Sequence, residues 1–189
     1  ECFGLMGVNG AGKTSLIKAV LGLKKPSKGQ IEIFGTHNRA AQSKQNIAFL
    51  PERFEPPWFL TGLEFLKFSL RLYKRPYDEG RVLAMADHLS LDQCALKNRV
   101  HTYSKGMRQK LGILATLLSD CPLMIFDEPM SGLDPMVRTQ VKDLFKHVHK
   151  EGRTLFISSH ILADMEELCD RVSLMHDKTI STIDSPATI

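Results

Sequence analysis

At 189 residues, with 43% hydrophobic and 24% charged side chains, the chain has the makeup of one ordinary globular domain, which excludes a disordered or collagen-like polymer. Its 25 Lys and Arg stand against 21 Asp and Glu, so the net charge is only +4. A balance this even gives no reason to expect nucleic acid as a partner and leaves room only for a local basic patch.

The four cysteines, Cys2, Cys94, Cys121 and Cys169, contain no CxxC pair. That argues against a zinc site or a disulfide framework and fits a reducing cytosol. The longest apolar run, Gly112–Leu118, is far short of the roughly 20 residues that a spanning helix needs. The 189 residues carry no signal-peptide pattern, so none is expected among them. The first residues, Glu1–Gly7, read as a strand already under way, so the sequence is expected to start inside a domain. The tail Ser185–Ile189 ends as abruptly.

In chain order, Cys2–Val8 is short, apolar and followed by glycines, as a buried strand should be. Thr14–Leu23 places Leu16, Ile17, Val20 and Leu21 at helical spacing and is expected to end near Gly22. Lys24–Gly29 reads as a turn. Gln30–Phe34 and Asn46–Leu50 alternate like strands. From Pro51 to Tyr103 the periodicity is helical, with no strand signal. Phe65, Phe68 and Leu72, with Leu66 and Leu70, stripe one segment; Val82, Leu83, Ala86 and Leu89 stripe another. Leu123–Phe126 and Thr154–Ile157 are continuous apolar runs, each followed by polar residues and a helical pattern. Alternating strands and helices predict an α/β fold with a largely parallel, buried sheet and a helical lobe of about 50 residues inserted into it. There is no internal repeat.

The chemistry begins at Gly7-Val8-Asn9-Gly10-Ala11-Gly12-Lys13-Thr14, which matches G-x-x-x-x-G-K-[ST]. Glycines let the backbone wrap so that its N–H groups point at phosphates. The helix that follows aims its positive end at the same place. Lys13 can reach the β and γ phosphates, and the Thr14 hydroxyl can ligate Mg²⁺. In Leu123-Met124-Ile125-Phe126-Asp127-Glu128, two carboxylates emerge at the C-terminal end of a buried strand, where open α/β sheets place ligands. Asp127 would hold Mg²⁺ directly or through water, and Glu128 would serve as general base. By themselves the two acids read equally well as solvated loop residues. Ser104 stands where a helix should start and reads as an N-cap or as part of an anion site. Ser131–Asp134 reads as a helix-entry turn before Pro135. His160 follows a strand and can hydrogen-bond a phosphate or a water.

Taken in order, these features resemble the nucleotide-binding subunit of ATP-binding cassette (ABC) transporters. Gly7–Thr14, extended to Ser15, resembles the family's Walker A loop, and Leu123–Glu128 its Walker B with the catalytic Glu. Ser104-Lys105-Gly106-Met107-Arg108-Gln109 resembles the ABC signature, Ser131-Gly132-Leu133-Asp134 the D-loop, and His160 the switch histidine. The resemblance implies a P-loop NTPase core at 1–52, a helical lobe at 53–103, and the signature helix, Walker B, D-loop and histidine at 104–189. It implies ATP and Mg²⁺ as cofactors, Glu128 and His160 as catalytic residues, and Thr14 and Asp127 at the metal. It also implies a head-to-tail dimer in which Ser104, Lys105, Gly106 and Met107 meet the ATP of the partner chain. Hydrolysis would power a transmembrane permease at the cytoplasmic face of the membrane, without nucleic acid. The form Tyr103–Lys110 is similar to that of bacterial drug, sodium and antibiotic-resistance exporters. A soluble ABC ATPase acting on ribosomes or DNA is the alternative.

The sequence departs from the family where Pro51-Glu52 stands in place of the usual Gln. Glu52 offers a charged oxygen in place of a neutral one. It would ligate the metal, point to solvent, or touch the membrane subunit through Arg53–Phe59. Pro57-Trp58-Phe59-Leu60 would form the contact groove for that subunit or fill the lobe's own core. The family's adenine-stacking aromatic is expected upstream of Gly7.

Overall fold

The computed structural model describes residues 1–186; Ala187–Ile189, the end of the tail noted above, lie outside the described residues. In chain order the first elements are β1 (Cys2–Met6), α1 (Lys13–Val20), β2 (Glu32–Ile33), β3 (Thr36–His37), α2 (Ala41–Gln45) and β4 (Ile47–Leu50). Then come α3 (Gly62–Leu72), α4 (Glu79–His88), α5 (Gln93–Leu96), a 3₁₀ turn (Val100–Thr102) and α6 (Lys105–Leu118). The last are β5 (Leu123–Asp127), α7 (Pro135–Lys150), β6 (Thr154–Ser159), α8 (Leu162–Leu168), β7 (Arg171–His176) and β8 (Thr179–Asp184). They divide into two compact units: residues 1–49, 121–128 and from His149 on, and residues 50–120 with 129–148.

In the first unit the sheet order is β4-β5-β6-β1-β7-β8. β1 lies between β6 and β7 and is parallel to both, and β5 is parallel to β6. Covered on both faces, these strands read as apolar runs without alternation. Ile17 of α1 packs with Ile33, Ile47 and Ile125 in one core cluster. Gly4 makes room for α8: a Cβ there would stand 2.8 Å from Met165 Sδ. The same packing brings Cys2 Sγ to 3.8 Å from Cys169 Sγ, although the two are far apart in sequence. That hydrogen bond, and then burial, push the Cys169 thiol up, so it stays protonated. Both cysteines are free thiols.

α1 ends as its sequence predicts. Gly22 takes φ 72°, and Leu23 N donates to Lys18 O at 2.9 Å. Asn38 Nδ2 reaches the last carbonyls, Ala19 O at 2.6 Å and Val20 O at 3.0 Å. The predicted strand Gln30–Phe34 shrinks to Glu32–Ile33. Phe34 at φ 50° and Gly35 at φ 72° form a two-residue turn that sends the chain back as β3. The antiparallel pair β7–β8 is closed the same way by Asp177 and Lys178, at φ 47° and 63°.

The second unit is helical from α3 to α7, and among its described residues the strand pairing outside named strands is one bridge, Thr61 to Arg99. It is larger than the predicted segment 53–103, because α6 packs on α3 and α4. α3 starts with a capping box in which Thr61 Oγ1 accepts from Glu64 N and Glu64 Oε2 accepts from Thr61 N. Its buried face is Gly62, Phe65, Leu66 and Leu70, at helical spacing. Phe68 and Leu72, predicted on the apolar stripe, face solvent, since one helix cannot bury positions 68 and 72 together with 66 and 70 against one partner. α6 is buried from Leu111 to Leu118. Its C-terminal end receives Arg75, whose Nε donates to Ser119 O at 2.8 Å, and Arg81 pairs bidentately with Asp120.

Gly112 on α6 is a point of close approach. A Cβ there would lie 2.5 Å from Leu50 Cδ1 and 2.8 Å from Phe54 Cδ1. Gly112→Ala is therefore expected to lower stability by about 1–3 kcal/mol, because the core must shift to admit the methyl. A denaturant midpoint equal to wild type would contradict this packing.

Candidate functional site

In the first unit the site grows from the C-terminal ends of β1, β5 and β6. Gly7 permits the turn after β1: a Cβ there would lie 2.6 Å from Met175 O. Gly10 and Gly12 take φ 87° and 113°, the left-handed region that Gly occupies without strain. α1 then begins at Lys13 with no side-chain cap, so its first N–H groups remain open to an anion. Val8, Asn9, Gly10 and Ser15 are exposed, while Gly7, Ala11 and Lys13 are buried.

Lys13 Nζ donates to Gly7 O at 2.6 Å and lies 3.1 Å from Glu128 Oε1, with both side chains under a tenth exposed. Among the described residues Glu128 Oε1 accepts no hydrogen bond, and the Lys13 charge beside it compensates its burial. Its other oxygen, Oε2, faces His160 Nδ1 at 2.9 Å. An ionised carboxylate only accepts, so Nδ1 carries the proton in this contact. The sequence leads to a phosphate or water partner for His160; here its partner is Glu128. Glu128 itself sits at φ 49°, a strained backbone for a non-glycine residue.

Beside this pair, Thr14 Oγ1 donates to Asp127 Oδ2 at 2.8 Å. Asp127, 1% exposed, also accepts from Ser158 Oγ through Oδ1. Ser158 Oγ in turn accepts from Glu128 N at 2.9 Å. Ser158 thus fixes both acids, a role that sequence reasoning missed. The available signal was a polar residue ending a buried strand; the register that sets Asp127 against Ser158 is visible only in the sheet.

In the second unit, Ser104 caps α6 by accepting from Met107 N at 3.2 Å. Lys105 reaches over the loop Ser131–Asp134: a Cβ on Gly132, at φ 75°, would stand 3.4 Å from Lys105 Nζ. Gln109, 5% exposed, donates to Pro129 O at 2.9 Å and ties α6 to that loop's start. Asp134 Oδ1 accepts from Val137 N and so caps α7. Glu52 is exposed and lines a polar cavity of about 410 Å³ with Arg53, Lys105, Arg108 and Ser131. Among the described residues no group of three or more His, Cys, Asp or Glu side chains is placed to hold a metal ion. Trp58 and Phe59 are 68% and 55% exposed, so they do not fill the core of their own unit.

Residues 1–131 match the family model described as ABC transporter. The chain belongs to the ABC transporter family. It is 42% identical over 178 residues to an uncharacterised ABC transporter ATP-binding protein of Synechocystis, covering 93% of this chain and 50% of that protein. It is 34% identical to the fluoroquinolones export ATP-binding protein of Mycobacterium tuberculosis, covering all of this chain and 62% of that one. The chain thus spans between half and two thirds of these relatives' lengths. A solved ATP-binding subunit of an ABC transporter superposes with a TM-score of 0.88 at 29% identity, over 98% of this chain and 78% of that chain. That subunit shares the α/β architecture described above. Among the described residues no helix is long and apolar enough to cross a membrane.

Proposed function

We propose that this chain binds and hydrolyses ATP to drive an exporter, acting at the cytoplasmic face of a membrane beside a separate permease subunit. The observation that carries the reading is the meeting of Lys13, Glu128 and His160 next to the pair Thr14–Asp127, at an uncapped helix start. A relative named for fluoroquinolone export supports the direction of transport.

The residues divide the work. Open N–H groups at the uncapped start of α1 bind the phosphates, and Lys13 neutralises them. Thr14 and Asp127 supply two hard oxygens side by side, a donor set that fits Mg²⁺, which takes one or two carboxylates plus phosphate oxygens. Mg²⁺ held there would offset the charge of the β and γ phosphates. Glu128 accepts the proton of the attacking water through Oε1, once the phosphates draw Lys13 away from it. His160 orients Glu128 through Oε2. Ser104–Met107 and Ser131–Asp134 serve the ATP of a second copy, which makes the working form a head-to-tail dimer. Trp58 and Phe59 offer the apolar contact for the permease.

Phosphate release with and without the membrane subunit tests this reading. Stimulation by that subunit is expected; equal rates would remove the transport reading. The same assay, run across Mg²⁺ concentrations with Glu52→Gln, assigns Glu52. A raised Mg²⁺ midpoint is expected if Glu52 holds the metal, since a carboxylate is the stronger hard ligand. An unchanged midpoint with lost stimulation would instead put Glu52 on the path to the permease.

A further inference from the structure

One basic surface of the first unit has no part in the chemistry above. Between Glu1 and Glu52 the only acidic residue is Glu32, against Lys13, Lys18, Lys24, Lys25, Lys28, Arg39 and Lys44. Lys13 is buried in the nucleotide site, and the other six are exposed. Local structure gathers three of them, and two more follow directly in the sequence. Lys18 O accepts both Leu23 N and Lys24 N, so the chain turns back over the end of α1. Arg39 Cγ would lie 3.3 Å from a Cβ on Gly22, at that same helix end. Lys25 and Lys28 continue from it along the exposed turn.

Cations at a helix C-terminus complement its dipole, but that effect fades within the last turn and needs no more than one or two of them. The remaining charge is repulsive in the free protein. Two large apolar side chains, Leu23 and Phe34, are 69% and 60% exposed in the same segment. Phe34 tips the β2–β3 turn, whose strand partner Ile33 packs with Ile17 of α1. Water hydrates the cations but gives nothing to the apolar tips. A bilayer surface rewards both: anionic headgroups attract lysines, and apolar tips enter the interface. A single-stranded nucleic acid would need a row of stacking aromatics, and this segment offers Phe34 alone.

We propose that Lys18, Lys24, Lys25, Lys28 and Arg39, with Leu23 and Phe34, form a contact surface for the anionic headgroups of a lipid bilayer. It holds the ATPase against the membrane in addition to permease docking, and rests on that reading only in placing the chain beside a bilayer. The test uses the whole protein without its permease, so the two readings fail separately. Sedimentation with phosphatidylcholine vesicles, with and without phosphatidylglycerol, measures binding. Wild type is expected to bind only the anionic vesicles and to release them at high salt. Each cation near an anionic leaflet strengthens partitioning about fivefold, so Lys24→Gln/Lys25→Gln/Lys28→Gln should weaken binding about 100-fold. ATP turnover of this variant should equal wild type, which shows that it folds. Equal binding by the variant, no binding by wild type, or selective loss of binding to an RNA oligonucleotide with vesicle binding intact would each overturn the proposal.

Discussion

Lys13→Ala is expected to bind ATP at least tenfold more weakly and to unfold at a lower temperature. A charged hydrogen bond contributes about 1.5–3 kcal/mol, and Lys13 is the buried cation of the phosphate loop. The stability loss has a separate origin. Removing Lys13 leaves Glu128, 7% exposed, as a buried carboxylate without its countercharge at Oε1. Breaking a buried pair in this way costs about 3–5 kcal/mol. The double variant Lys13→Ala/Glu128→Gln separates the two effects. It should recover much of the lost stability and none of the lost affinity. Calorimetric binding and thermal unfolding of both variants read this directly. Wild-type affinity in Lys13→Ala would sink the phosphate-site assignment.

Glu128→Gln is expected to lower the hydrolysis rate at least 100-fold, the lower end of what a positioned general base contributes. ATP affinity should hold or rise, because a neutral amide no longer competes with phosphate for Lys13. The ATP-bound dimer should then accumulate. Phosphate release and size-exclusion chromatography with ATP report these outcomes. Turnover at the wild-type rate would place the base on another residue.

Much of the nucleotide site could be read before any coordinates, because its chemistry constrains residue type and spacing locally. Gly10, Gly12, Lys13 and Thr14 are held by one strand–loop–helix turn, and Asp127 and Glu128 end one apolar run. What stayed hidden depends on partners distant in sequence. Ser158 gains its role only through the pairing of β5 with β6. The contact of His160 with Glu128 needs the same pairing. The two missed hairpins have another cause. Their turns, Phe34-Gly35 and Asp177-Lys178, hold positive φ without the Asn-Gly or Asp-Gly pair that marks such turns in a sequence. Burial also decided what periodicity could not. Phe68 and Leu72 share a helical spacing with Phe65, yet only Phe65 faces the core.

The position of β1 governs how the protein comes off the ribosome. This strand carries the phosphate loop, yet both its neighbours, β6 and β7, come only after β5 and α7 in the chain. On the order of 150 residues must follow Cys2 before Leu155 emerges to pair with it. At typical rates of synthesis that is a wait of roughly 10–30 s. Throughout it the apolar strand Cys2–Met6 has two unpaired edges, the state in which strands find wrong partners. The nascent chain therefore needs shelter at this strand. The strand that carries the phosphate loop is paired only once β6 and β7 have emerged, and until then the nascent chain cannot hold a nucleotide.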